Sequence, residues 1–267
     1  YRTGKFQFSN KLTIDYLETV DPTVSFSEYA QANPYYRKYN SAGEIEKYLY
    51  YPEDGINDSS VSNPLWNAHL NNYNKGQEFG FTNNFIIEWF ATHDFRLRAK
   101  FGLTKSDDTS DVRLSPLHSQ FDDVSDTEKG LYTHTQTKGL VYEGDLAATF
   151  GRLFADKHMV NAVAGFNFSS TKRENYGFSA NGFTDDQFDS PSFANSYPNG
   201  ESPDYSRTEK RAASFYINGG YAYDNRYLLD FNYRSDGASM FGTDNRFRNT
   251  WSVGLGWNIH NEKFLRD

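Results

Sequence analysis

The stretch Trp251-Ser252-Val253-Gly254-Leu255-Gly256-Trp257-Asn258-Ile259 decides the fold. Trp251, Val253, Leu255, Trp257 and Ile259 fall on one side of an extended chain, and Ser252, Gly254, Gly256 and Asn258 on the other. Side chains of a strand alternate with period two, so this is a strand with one apolar and one polar face. Just upstream, Leu229, Phe231 and Tyr233 alternate with Asp230, Asn232 and Arg234. Further back the stripe recurs as Phe215, Ile217, Tyr221 and Tyr223 around Gly219, as Val160 to Phe168, and as Leu140, Tyr142, Leu146, Ala148 and Phe150. Phe95, Leu97, Ala99, Phe101 and Leu103 alternate with Arg96, Arg98 and Lys100. Phe79, Phe81, Phe85, Ile87 and Trp89 form a stripe interrupted by Asn83, and Phe6, Phe8, Leu12, Ile14 and Tyr16 form the first. The pattern predicts about eight strands. Many reach about ten residues, the length a tilted crossing of a bilayer requires, whereas soluble strands average about 5–6.

Composition supports a wall between lipid and water. Only 37% of the residues are hydrophobic, yet 18% are Phe, Trp or Tyr. Mean hydropathy is -0.79. A membrane barrel has an apolar, ring-girdled outer face and a polar lumen, so its average is hydrophilic. No apolar run approaches the ~18 residues of a membrane helix. With no cysteine there is neither a disulfide framework nor a thiolate metal site. A net charge of -8 argues against nucleic acid as a partner, since phosphate binding needs a concentrated basic surface.

The connections alternate in length. Short turns are expected at Thr92-His93-Asp94, Ala155-Asp156-Lys157 and Asp224-Asn225-Arg226. Long loops are expected near 20–75, 105–130, 178–208 and 236–248. Short turns on one side and long loops on the other is the arrangement of outer-membrane barrels. One partial barrel domain over 1–267 is predicted. Incompleteness is expected because Tyr1 opens close to a strand, because Phe264-Leu265-Arg266-Asp267 follows a turn, and because a first loop of this length suits a wide barrel.

No catalytic signature is present: neither Gly-x-Ser-x-Gly, His-Glu-x-x-His, a phosphate loop nor Gly-x-Gly-x-x-Gly. The chain therefore reads as a non-enzyme with no cofactor. The acidic groups Asp107, Asp108 and Asp111, then Asp122, Asp123, Asp126 and Glu128, are read as solvated loop charge, as are Asp185, Asp186 and Asp189. The calcium alternative lacks the EF-hand spacing and its central glycine. In the first loop, Tyr35, Tyr36 and Trp66 stand near Arg37 and Asn67. Rings stack on sugar faces and amide or guanidinium groups bond hydroxyls, which makes these five the candidate ligand residues; the competing reading is loop packing. Gly237 is expected to supply a positive φ at a strand exit, and Asp236 to bond the following turn. Arg96, Arg98 and Lys100 are expected on the lumen face, paired with acids of a plug or guiding an anionic substrate.

The segment from Phe231-Asn232-Tyr233-Arg234-Ser235-Asp236-Gly237-Ala238-Ser239 through Phe241-Gly242 and Asn245-Arg246-Phe247 to Asn261-Glu262-Lys263-Phe264 closely resembles the barrel of SusC/RagA-family TonB-dependent transporters. Supporting matches are His158 to Gly165, Tyr176 to Ala180, Pro191 to Asn195, Asn33-Pro34-Tyr35-Tyr36-Arg37 and Asn63-Pro64-Leu65-Trp66-Asn67. The resemblance implies a nutrient importer of the Gram-negative outer membrane, as in Bacteroidetes. It also implies a barrel of roughly twenty-two strands, of which these would be about a third. It further implies a SusD-like surface lipoprotein partner, coupling to the TonB complex through an N-terminal region not present here, contact with outer-membrane lipid, and an oligosaccharide or peptide substrate. Two alternatives stand beside it: a self-contained small barrel (an adhesin or lipid-modifying enzyme), and a soluble carbohydrate-binding β-protein. The first needs a closed seam between first and last strands. The second needs the apolar stripes buried against another sheet.

Overall fold

The computed structural model describes residues 1–50, 60–242 and 246–265. Its main element is one antiparallel sheet of nine strands. In chain order these begin with the short β1 (Arg2–Thr3) and β2 (Phe6–Asp21). The first long loop follows, carrying the helix α1 (Phe26–Gln31), the small pair β3 (Tyr48–Tyr50) and β4 (Val61–Ser62), and the helix α2 (Pro64–His69). The wall resumes with β5 (Tyr73–Phe90), β6 (Phe95–Leu114), β7 (Leu131–Phe154), β8 (His158–Asn181), β9 (Asp204–Tyr223), β10 (Tyr227–Ala238) and β11 (Phe247–Trp257). Apart from β3 and β4, each strand pairs with its sequence neighbour in the sheet, in the order β1-β2-β5-β6-β7-β8-β9-β10-β11.

Directly opposed residues of an antiparallel pair share a face. One continuous row runs from Phe6 to Trp89, Leu97, Ala148, Ala164, Ile217, Tyr233 and Trp251. All the apolar stripes therefore lie on a single face of the sheet. No second sheet covers that face among the described residues: Leu255 is 85% exposed and Trp251 72%. A soluble sandwich would bury these side chains against another sheet, which is not the arrangement among the described residues. Nor do β1 or β2 pair with β11 among the described residues, so this sheet closes no small barrel on itself.

The same row reveals the tilt. It starts at Phe6, where β2 begins, and reaches Trp251, well above the end of β11 at Trp257. Yet the apolar band follows the strand ends, covering Phe6 to Tyr16 on β2 and Phe247 to Trp257 on β11. The band drifts across the hydrogen-bonded rows, as it must when tilted strands cross a level slab. Roughly ten residues at about 3.3 Å each, tilted by about 40°, span about 25 Å, the height of a barrel's lipid-facing belt. Rings border the lower rim: Phe6, Trp89, Phe154, Tyr223, Tyr227 and Trp257 sit beside the short turns.

The turns explain themselves chemically. Ala155, Asp156, Asp224 and Asn225 have φ of 48, 54, 50 and 52°. Left-handed pairs at the centre of a tight hairpin match the twist of its strands, and Asp and Asn tolerate that region best.

Several strands run further than their stripes suggested. Asp107, Asp108 and Asp111, expected in a loop, lie on β6, and His134 and Gln136 lie opposite on β7. Asp111 accepts bonds from Tyr132 (2.5 Å) and His134 (2.7 Å), and Asp107 from Gln136 (2.7 Å), so cross-strand bonding extends the ladder above the apolar band. Gly237 is a second correction. It sits within β10 opposite Phe247 and is absent from the positive-φ glycines; a Cβ there would lie 2.5 Å from the Phe247 ring. Its role is room for that ring. Asp236 likewise bonds Arg234 at 2.8 Å rather than a turn. Asn245 lies outside the described residues.

The two faces predict opposite tolerance. In the intact barrel in lipid vesicles, Val253→Arg is expected to lower unfolding stability by about 2–4 kcal/mol, because it places a charge in the band. Ser252→Arg, one residue away on the lumen face, is expected to change it by less than about 1 kcal/mol. Denaturant titration compares the two.

Candidate functional site

At the long-loop end, the described parts of three connections fold into one cap: 22–50 with 60–72, 115–130, and 182–203. Local sequence starts each piece. Ser25 and Glu28 form a capping box on α1, and Asn63 caps α2 with Pro64 at its first turn. Asn63 is buried and uses its whole amide: Nδ2 donates to the carbonyls of Lys38 (3.1 Å) and Glu46 (2.7 Å), and Oδ1 accepts from Leu65 N (3.1 Å). Asn67 donates to Ser119 Oγ (2.9 Å) and accepts from Ser119 N (3.1 Å). Asn72 donates to the Asn67 carbonyl and accepts from Ser115 N, both at 2.7 Å. Lys47 and Tyr48 both donate to Asp122. Burial opposes ionisation of Asp122, but these two donors hold its carboxyl below the usual carboxylate range.

The third loop is clamped to the second. The amides of Gly182 and Phe183 donate to the Lys129 carbonyl at 3.0 and 2.8 Å. Gly182 has φ +79°, and a Cβ there would sit 2.3 Å from the Thr127 carbonyl oxygen, so only glycine fits. Arg113, at the top of β6, ties all of this together. It is 0% exposed. Its guanidinium donates to the Asn71 carbonyl of the first loop, and to the carbonyls of Asp186 and Phe188 of the third, both at 2.9 Å. The Asp186 carboxylate stands 3.9 Å away and the Phe183 ring 5.9 Å. Sequence reading missed Arg113, because a lone arginine past an apolar stripe reads as loop charge.

The candidate ligand residues divide. Tyr35 is 94% exposed and Arg37 is exposed beside it. Tyr36 stacks on Tyr50 with centroids 5.7 Å apart. Trp66 is half-buried, its Nε1–H donating to the Leu117 carbonyl at 3.1 Å. Asn67 is 1% exposed, with its amide engaged by Ser119. Tyr35, Tyr36 and Arg37 thus form one surface group, while Trp66 and Asn67 join the loops to each other. Among the described residues no group of three or more His, Asp or Glu is placed to hold a metal.

The face opposite the apolar band is polar. Arg96 lies 3.7 Å from Glu88, and Lys100 bonds Glu143 at 2.9 Å, so these cations of the basic stripe find partners within the wall. Arg98 is directly opposite Glu88. Further round, a hollow of about 430 Å³ is lined by Tyr216, Asn218, Asn232, Arg234, Thr250 and Ser252. The Tyr216 ring lies over Gly165, where a Cβ would meet it at 2.2 Å. At the short-turn rim, Glu262 accepts from Trp257 Nε1 (3.0 Å), Tyr227 Oη (2.9 Å) and Arg226 (3.3 Å). These donors, Trp257 first, hold its carboxyl below the ordinary range. Asn258 and Asn261 both donate to the Asn225 carbonyl at 2.9 Å. The resemblance-bearing motif at this rim is thus an anchor for the chain leaving β11.

Replacing Arg113 by Met keeps volume but removes the guanidinium that joins the Asn71, Asp186 and Phe188 carbonyls. The cap is expected to lose at least about 1.5 kcal/mol of local stability, since a hydrogen bond from a charged donor contributes about 1.5–3 kcal/mol. Limited proteolysis of the intact protein in membranes should then cut within 22–72 and 182–203 while the strands stay protected.

Known proteins place this architecture. No family model matches the chain. TonB-dependent receptor P26 of Formosa agariphila is 24% identical over 99% of this chain and 26% of its own length. TonB-dependent receptor SusC of Bacteroides thetaiotaomicron is 42% identical over 22% of this chain and 6% of its own. The chain thus spans about a quarter of the length of the long-matching curated relative. Among solved structures, the RagAB peptide importer in its open-open state superposes with a TM-score of 0.76 at 18% identity, over 100% of this chain and 29% of the other. The RagAB peptide transporter gives 0.75 at 17% identity, over 99% and 29%. Wall, loops and relatives agree: this chain is similar, over its whole length, to a segment of the barrel of TonB-dependent receptors, SusC- and RagAB-like proteins among them.

Proposed function

We propose that this chain serves an outer-membrane importer of the SusC/RagA type, which takes up oligosaccharides or peptides. One observation carries the reading. The wall is apolar outside and polar inside, and its long loops gather at one end into a single interlocked cap. Such a segment performs no covalent chemistry. It seals against lipid, offers hydrogen-bonding groups along a water-filled path, and presents a firm surface at the mouth.

The cap is the natural platform for a SusD-like surface lipoprotein. A partner that opens and closes needs a base that stays put, and Arg113, Asn63, Asn67 and Asn72 make this base from buried polar bonds. Energy comes from the TonB complex through the N-terminal region of the whole protein. The polar face supports passage of a neutral, hydroxyl- or amide-rich solute, since much of its charge is already paired within the wall, across strands or along one. RagAB is a peptide importer, which favours peptides as a first substrate to try.

Ligand capture at the mouth falls to Tyr35, Tyr36 and Arg37. Tyr35 offers an open ring face, and Arg37 a planar donor fork beside it. In the full-length transporter with its partner, Tyr35→Ala combined with Arg37→Ala is expected to weaken binding of oligosaccharide or peptide about tenfold, consistent with the loss of one aromatic and one charged contact. Trp66→Phe, which removes one loop-to-loop bond, is expected to leave affinity within about threefold. Calorimetry on both variants checks this. Unchanged affinity in the double variant would remove these residues from the binding surface.

A further inference from the structure

The outward face does not end where its apolar band ends. On β6 to β9 it continues upward as a strip of charge. The last mainly apolar row is Phe101–Gly144–Phe168–Ala213, and the next is Leu103–Tyr142–Ser170–Arg211. Above it come Lys105–Leu140–Lys172–Glu209 and then Asp107–Lys138–Glu174–Arg207. Opposed residues share a face, so these charges point the same way as Phe101 and Phe168. They lie on the long-loop side, directly beyond the lipid belt.

We propose that this strip docks the phosphorylated headgroups of outer-leaflet lipids; the inference rests on the outer-membrane reading above. Two observations carry it. The first is continuity: the strip prolongs a lipid-facing surface by one or two rows, at headgroup height. The second is charge. Lys105, Lys138, Lys172, Arg207 and Arg211 face Asp107, Glu174 and Glu209, so cations outnumber carboxylates. The carboxylates are engaged on one side of the strip: Glu174 by Lys172 (2.7 Å) and Arg207 (4.0 Å), Glu209 by Arg207 (3.3 Å) and Arg211 (2.5 Å). Asp107 accepts from Gln136. Lys105 and Lys138 are exposed and make no ion pair among the described residues; Lys138 lies over the Tyr176 ring at 5.3 Å. Lys105, Lys138 and Lys172 come from three adjacent strands within neighbouring rows. Basic clusters at the membrane boundary attract anionic headgroups by this field.

The test uses the full-length transporter in nanodiscs of phosphatidylcholine mixed with phosphatidic acid of equal chain length. Native mass spectrometry counts the lipids retained after detergent release. The wild type is expected to retain phosphatidic acid over phosphatidylcholine by about tenfold, and to lose that preference as salt rises. Lys105→Gln/Lys138→Gln/Lys172→Gln is expected to bring the ratio near one, and the corresponding triple Arg variant to keep it. Arg152→Gln, at the opposite rim, is expected to leave it unchanged. A wild-type ratio near one, or a triple Gln variant as selective as wild type, overturns the proposal. So does displacement of the lipid by equimolar inorganic phosphate, which would make this a free-phosphate site. If the protein fails to enter nanodiscs at all, the membrane reading falls instead. If the triple Gln variant does not fold, the salt dependence of the wild type decides.

Discussion

A backbone amide in hydrocarbon has no water to bond, and each one left unpaired costs several kcal/mol. Everything in this wall follows from that constraint. Setting β3 and β4 aside, each long strand pairs only with its sequence neighbours in the sheet, which leaves no crossover to satisfy among the described residues. Because the ladder is antiparallel, hairpins of a few residues suffice at one rim, and the chain's freedom is concentrated in the loops at the other. Because side chains alternate, one ladder supplies two solvents with two surfaces: Val253 and Leu255 to lipid, Ser252 and Gly254 to water.

The same constraint shapes the two ends differently. At the short-turn rim the rings of Trp257 and Tyr227 hand their polar atoms to Glu262, so that aromatic bodies face lipid while their hydrogen bonds are kept inside. At the other end the loops leave the ladder and must satisfy their own backbones. They do so through asparagines and one arginine. Arg113 continues the outward-facing register of β6, yet it is buried because loops from both sides close over it and offer carbonyls to its fork. A cap built this way is firm without a hydrophobic core of ordinary size; Val24, Leu49, Phe121 and Phe183 are among the few apolar residues buried there. Firmness at the loop end and an apolar belt below thus come from different chemistry on one wall.

Much of this was legible in the sequence. The period-two stripes named the lipid face of each long strand, and the tight turns at Ala155-Asp156-Lys157 and Asp224-Asn225-Arg226 fall where they were read. What periodicity could not show was where strands stop. Above the belt the outward face carries Lys105, Asp107, Lys138 and Glu174, and such a strand has the composition of a loop. The ladder persists there because cross-strand bonds replace the apolar pattern. Site residues were harder still. Trp66 and Asn67 have the composition of a binding loop, but Asn67 meets Ser119, some fifty positions away in sequence, and no local signal announces that contact. Gly237 was given a backbone role when its place opposite Phe247 made it a matter of ring space.

The central claim is that one face of this ladder meets lipid and the other water. β7 contains no cysteine, so nitroxide labels can be set one at a time along it, in lipid vesicles, in a full-length protein cleared of any cysteine elsewhere. At Tyr142, Leu146, Ala148 and Phe150 the label should collide freely with dissolved oxygen and little with a water-soluble nickel chelate. At Val141, Glu143, Asp145, Ala147 and Thr149 oxygen access should fall, giving a period of two along the strand. Equal access at odd and even positions, or chelate access on both faces, would contradict the account.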